Sequence, residues 1–205
     1  EVIDVVYSGV YLDEIDRITP EAFERPTISA VARLVAYKRL DDLIRATDIL
    51  RKEMPLLQTV ITGSGPERER LEQLVQQLHL QDHVSLRGFV ERHEDVLAMV
   101  KGSTVFCFPS AVEGMGLVSV EAMACGVPYV STDIPPTREV TGNGQGGILY
   151  PVGDVHALAK GLRQIILETE ERPRRIAAAK ERATMFDWPR IIERFTSLLS
   201  AYIKE

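Results

Sequence analysis

The feature that most restricts how this chain can fold is an alternation, beginning at residue 27, between short β-branched runs and longer amphipathic ones. The runs read TISAVAR, RLDDLIRATDILRKEM, QTVITG, PERERLEQLVQQLHL, HVSLRG, EDVLAMVKG, TVFCFPS, GLVSVEAMACG and VPYVST, with GGILY as a last short strand. Strand-like runs that are apolar on both faces, separated by helices of about 10 to 15 residues, predict a parallel sheet covered on both sides. The expected fold class is α/β: a doubly wound, Rossmann-like parallel sheet with helices on both faces.

After GILYPVGD the pattern becomes wholly helical, in VHALAKGLRQIILETE, RPRRIAAAKERATMF and DWPRIIERFTSLLSAYIKE. Asp187 is placed to cap the last helix, with Pro189 tolerated in its first turn. The first 26 residues differ: they hold a short strand-like piece, a turn at Ser8-Gly9 and an acidic, irregular stretch ending near Pro26. The expected organisation is a connector over 1–26, a Rossmann-like domain over 27–186 and a C-terminal helix over 187–205.

Hydrophobic residues make up 45% of the 205, enough for a sizeable core. Lys and Arg total 24 against 30 Asp and Glu, a net charge of -6 that disfavours a general nucleic-acid partner. No apolar stretch approaches the roughly 20 residues of a membrane span, and residue 1 opens no signal segment, so a cytoplasmic location is expected. Cys107 and Cys125 stand in apolar surroundings with neither CxxC nor metal spacing, which predicts reduced core thiols.

Ligands of a doubly wound sheet bind beyond the carboxyl ends of its strands, where loops feed helix N-termini. Five junctions qualify: ARLVAYK, TGSGPE, RGFVERHED, PSAVEGMG and STDIPPTRE. In the fourth, Gly114 and Gly116 leave backbone N–H groups uncovered before a helix beginning near Leu117, an arrangement suited to phosphate. Glu121 lies a little over one turn into that helix, and helical side chains lean toward the N-terminus. Its neighbours Leu117, Val118, Val120, Ala122, Met123 and Ala124 are apolar, so its carboxylate needs a hydrogen-bond partner; a pair of ribose hydroxyls would serve. Glu113, on the loop before the helix, can accept from a neighbouring sugar's hydroxyls. Ribose, diphosphate and second sugar together describe a nucleotide sugar. The competing reading makes Glu121 a complement to the helix dipole and Glu113 a solvated loop residue.

The segment EGMGLVSVEAMACGVP resembles the E-x7-E signature of retaining glycosyltransferases of family 4, in the C-terminal, donor-binding domain of their GT-B fold. That family commonly writes E-G-F-G-L, and Met115 stands at the third position here. SAVARLVAYKRLDDLIRA resembles the segment whose arginine and lysine, here Arg33 and Lys38, contact the donor diphosphate. TGSGPERERL resembles its Gly-rich turn, containing Gly63, and VSLRGFV its base-binding edge at Gly88, Phe89 and Val90. The resemblance implies catalytic roles for Arg33, Lys38 and Glu113, and donor binding by Gly63, Gly88, Phe89, Val90, Gly114, Met115, Gly116, Leu117 and Glu121.

No D-x-D occurs, so no carboxylate pair for Mg²⁺ or Mn²⁺ is apparent; neither cofactor nor metal is expected, and Arg33, Lys38 and the helix end would neutralise the leaving group. The family implies retention at the anomeric carbon, with the leaving phosphate helping to deprotonate the acceptor and Glu113 bonded to the sugar. The segment VVYSGVYLD resembles its interdomain connector. The chain is thus expected to be the donor half of a glycosyltransferase, inactive without an N-terminal acceptor domain, with a peripheral membrane acceptor open to the full-length enzyme. Two rivals stay open: a nucleotide-sugar-binding module with no catalytic half, and another GT-B chemistry such as a nucleotide-sugar 2-epimerase.

Other residues are read more plainly. His79, His83, His93 and His156 form no ligand spacing and are expected to be solvated or capping. Arg138 and Glu139 form a local ion pair, GNGQGG is a surface turn, and Trp188 anchors the last helix.

Overall fold

The computed structural model describes residues 4–203. Its centre is one sheet of six parallel strands: β1 (Thr27–Val31), β2 (Gln58–Thr62), β3 (Val84–Gly88), β4 (Val105–Phe108), β5 (Tyr129–Thr132) and β6 (Gly147–Tyr150). The strand order is β3-β2-β1-β4-β5-β6, so the direction of winding reverses between β1 and β4, where Ile28 pairs with Val105 and Ser29 with Phe106. A crevice opens at such a reversal, because the helices on either side of it leave in opposite directions.

Helices α2 (Leu40–Leu50), α3 (Arg68–Gln77), α4 (His93–Gly102), α5 (Leu117–Ala124), α7 (Val155–Leu167) and α8 (Arg172–Ala183) cover both faces. The alternation of side chains along a strand divides the core in two. Val105, Cys107, Ile61 and Val130 face one side with Leu43, Ile44, Leu71, Leu158 and Leu162. Phe106, Phe108, Val60 and Tyr129 face the other with Leu97, Val120, Met123, Ala179 and Phe186. All four residues of β4 are buried, as the runs apolar on both faces predict.

The structure differs from the sequence reading at several elements. The acidic stretch before Pro26 is not wholly irregular: Leu12–Arg17 form a short helix, α1, which buries Ile15. Lys101 donates to the carbonyls of Ile15 and Asp16 at 2.8 and 2.9 Å, and Arg87 donates both its terminal nitrogens to Glu21, so this segment is held to the body. Pro135–Thr141 form α6, seven residues begun by two prolines whose fixed φ suits a first turn. A 3-10 turn at Thr184–Phe186 separates α8 from α9 (Trp188–Ile203). The carbonyl of Asp187 accepts the first α9 hydrogen bond, from Ile191, while its carboxylate accepts the Leu12 N–H at 3.2 Å.

Candidate functional site

Two loops flank the crevice: residues 32–39 after β1, containing a 3-10 turn at Ala36–Lys38, and residues 109–116 after β4. The Ala111 N–H donates to the Tyr37 carbonyl at 2.8 Å and ties one loop to the other. Across this tie Lys38 donates to Glu113 Oε1, and the side chains are only 14% and 10% exposed. Lys38 Nζ also lies 5.1 Å from the centre of the Phe108 ring, within range of a cation–π attraction. Glu113 is therefore not a solvated loop residue. Desolvated charges are tolerated when each has the other, and a ligand that takes either partner must replace what it removes.

Beside this pair, α5 begins at Gly116, whose φ of 74° lies in the left-handed region and whose added Cβ would stand 3.1 Å from Phe108 Cε1. Glycine is required there for both reasons. No side chain caps the helix, and a Cβ built on Gly114 meets nothing within 4 Å. Uncovered N–H groups at a helix start with room before them make an anion site. At the neighbouring loop Gly63 has a φ of 138°, donates to the Gly88 carbonyl at 2.8 Å, and approaches the Ala32 carbonyl too closely for any Cβ.

Glu121 does have the partner its burial requires, and it is a protein side chain. His93 Nε2 lies 3.1 Å from Glu121 Oε1, with the carboxylate 12% exposed. The hydrogen bond to Glu121 raises the His93 pKa above its ordinary value, although partial burial opposes the shift. His93 is 63% exposed, as a solvated residue should be, but its pairing with Glu121 is not legible in the sequence. His83 departs from the expectation of a solvated or capping residue, its Nδ1 lying 2.8 Å from the Leu57 carbonyl.

Two cavities meet at this histidine. One, of about 600 Å³, is lined by Arg33, Gly63, Ser64, Phe89, Val90 and His93 among others; the second, of about 680 Å³, by Glu14, Arg17, His93, Leu117, Glu121 and Trp188 among others. The Arg33 side chain is exposed and makes no hydrogen bond or ion pair among the described residues. Phe89 is 72% exposed, an aromatic ring presented to the first cavity. The structure thus brings Arg33, Gly63, Phe89 and Val90 to one wall, and Leu117 and Glu121 to the other. Lys38, Glu113, Gly114, Met115, Gly116 and Gly88 stand outside both linings; Met115 packs on the core. The sequence reading missed the second cavity, because half its lining comes from the segment 9–19.

The remaining residues resolve as follows. Arg138 pairs with Asp133 rather than Glu139, which accepts from the Tyr7 hydroxyl. The stretch 142–146 is a turn with positive φ at Gly142, Asn143, Gly144 and Gly146. Trp188 contacts the Tyr11 ring at 6.4 Å and lines the second cavity, so it does more than anchor α9. Cys107 and Cys125 are buried free thiols; burial pushes Cys125 up to about 12, and Cys107 higher.

This crevice, on this sheet order, is matched by a known class. The model of the glycosyl transferases group 1 family covers residues 13–182, and the chain belongs to that family. An uncharacterized glycosyltransferase of Haemophilus influenzae is 34% identical over 148 residues, covering 72% of this chain and 41% of its own length. The GDP-mannose-dependent alpha-(1-6)-phosphatidylinositol monomannoside mannosyltransferase of Mycolicibacterium smegmatis is 32% identical over 162 residues, 76% of this chain and 41% of its own. The crystal structure of Anabaena HepE in complex with UDP superposes with a TM-score of 0.85 at 22% identity, over 97% of this chain and 57% of that one. The fold is that of GT-B glycosyltransferases. The chain spans less than half the length of these two curated relatives.

Proposed function

We propose that this chain is the donor-binding half of a retaining, metal-independent family 4 glycosyltransferase, which moves a sugar from a nucleoside diphosphate to an acceptor held by an N-terminal domain. The observation that carries the reading is the Lys38–Glu113 pair beside the uncapped start of α5, with the Glu121 carboxylate one turn further on. The two charges are the pair that a bound nucleotide sugar would divide between its diphosphate and its sugar hydroxyls. Arg33, unpaired and exposed at the other lip, adds the second cation. Charge-assisted bonds from Arg33 and Lys38, with the N–H groups of α5, would stabilise the departing nucleoside diphosphate without a metal. Phe89 offers a flat face to a base. The names of the relatives, one GDP-mannose-dependent and one bound to UDP, support the nucleotide class and leave the base open. With the acceptor on another domain, residues 1–26 would be the connector, α9 the helix returning to that domain, and the chain alone would transfer nothing.

The test is calorimetric titration with UDP, GDP and ADP in EDTA, on the wild type, Glu121→Ala and Arg33→Ala. One diphosphate is expected to bind, and each substitution to weaken it by about tenfold or more, the loss of a hydrogen bond to a charged group. Binding that needs Mg²⁺, or that ignores both substitutions, would overturn the reading.

A further inference from the structure

His93 is the only described residue that lines both cavities, and so forms the partition between them. It is the first residue of α4, whereas Glu121 lies on α5, and the 3.1 Å contact is the only hydrogen bond or ion pair to that carboxylate among the described residues. A carboxylate has about four lone-pair sites, so one oxygen taken by Nε2–H leaves room for two more donors on the cavity side.

The charges facing His93 come from three elements and the loops beside them. On its own helix and just before it stand Glu91, Arg92, Glu94 and Asp95, with Arg92 paired to Glu94 at 2.6 Å. From α1 come Glu14 and Arg17, from α5 Glu121, and from the loop after β1 Arg33. The positive end of the α4 dipole disfavours an imidazolium at this position, as does partial burial; the Glu121 bond outweighs the burial.

We propose that His93 is a positioning residue, holding the Glu121 carboxylate so that its free lone pairs meet the ribose hydroxyls of the donor and making donor affinity depend on the charge of the imidazole. This rests on the reading of the crevice as a donor site. Protonated, His93 makes a charge-assisted bond that fixes the Glu121 carboxylate in one rotamer; neutral, it makes a weaker one.

The experiment has two parts. Without ligand, NMR titration of the His93 ring in wild type and Glu121→Gln reads the pair directly; its pKa is expected to fall in the variant, and an unchanged value would overturn the proposal. With ligand, UDP, GDP and their 2′-deoxy forms are titrated calorimetrically at about pH 6 and about pH 8.5 into wild type, His93→Gln and His93→Ala. Gln places a neutral donor near the Nε2 position, and titration of the nucleotide is common to all variants.

Affinity for the ribonucleotide is expected to fall about fivefold more across this range in wild type than in His93→Gln, and His93→Ala to bind about tenfold more weakly at low pH. The 2′-deoxy forms, which keep only the 3′-hydroxyl, should bind more weakly and show a smaller difference. Identical pH profiles in wild type and His93→Gln would overturn the inference and leave the donor site standing. A His93 effect undiminished with the 2′-deoxy forms would also overturn it, because His93 would then act on the phosphates. No nucleotide binding at any pH would remove the donor-site reading and this inference with it.

Discussion

Glu121 and His93 give the clearest link between one residue and a measurable property. The folded-state pKa of His93 is raised above the ordinary value of about 6.5, so the folded chain holds that proton more tightly than the unfolded one. The stabilisation is fully present below the unfolded pKa and is lost as pH rises through the folded one. Because the imidazole is 63% exposed, solvent screens the effect to a modest size. The urea midpoint of wild type should therefore decline, relative to Glu121→Gln, between about pH 6 and about pH 8. Parallel curves would show that the pair contributes nothing to the fold. The two glutamates were legible in the sequence because both belong to one helix start and its loop. Their pairings were not: the sequence marks Lys38 only as a diphosphate contact and His93 only as solvated or capping, and the sheet order alone brings them near the glutamates.

At the scale of the element, the start of α5 separates two glycines that look alike in EGMG. Gly116→Ala must hold an L residue at a φ of 74° and push a methyl toward Phe108, costing about 1–2 kcal/mol. Gly114→Ala adds its methyl to open space, and its stability should stay within about 0.5 kcal/mol of wild type. Chemical denaturation of both variants tests the contrast; equal losses would mean that the loop is not held as described. Local pattern announced the six strands, of which the central β1, β2, β4 and β5 are buried on both faces and the edge strands β3 and β6 are not. It did not announce α1 or α6. Each is under two turns long, too short for an apolar stripe to repeat, and each is stabilised by the residues it buries against the body: Ile15 in α1, and Thr137, Val140 and Thr141 in α6.

For the molecule as a whole, α9 carries an apolar stripe on its outer side: Ile192, Phe195 and Leu199 are each between 45% and 53% exposed, at helical spacing. In the proposed organisation an acceptor domain covers it. In the isolated chain it should drive weak self-association, read as a concentration-dependent sedimentation coefficient that Phe195→Glu abolishes without loss of helix content. Sedimentation as a monomer at all concentrations would argue that this stripe is not an interface.

The alternation of strand and helix, the two-sided burial of the sheet and the signature EGMGLVSVEAMACGVP were all readable one segment at a time, since periodicity and glycine placement are local properties. The order β3-β2-β1-β4-β5-β6 was not, because strand pairing depends on contacts between segments far apart in the chain. That order sets the loop after β1 against the loop after β4. It pairs Lys38 with Glu113, joins His93 to Glu121, and leaves Arg33 facing the crevice.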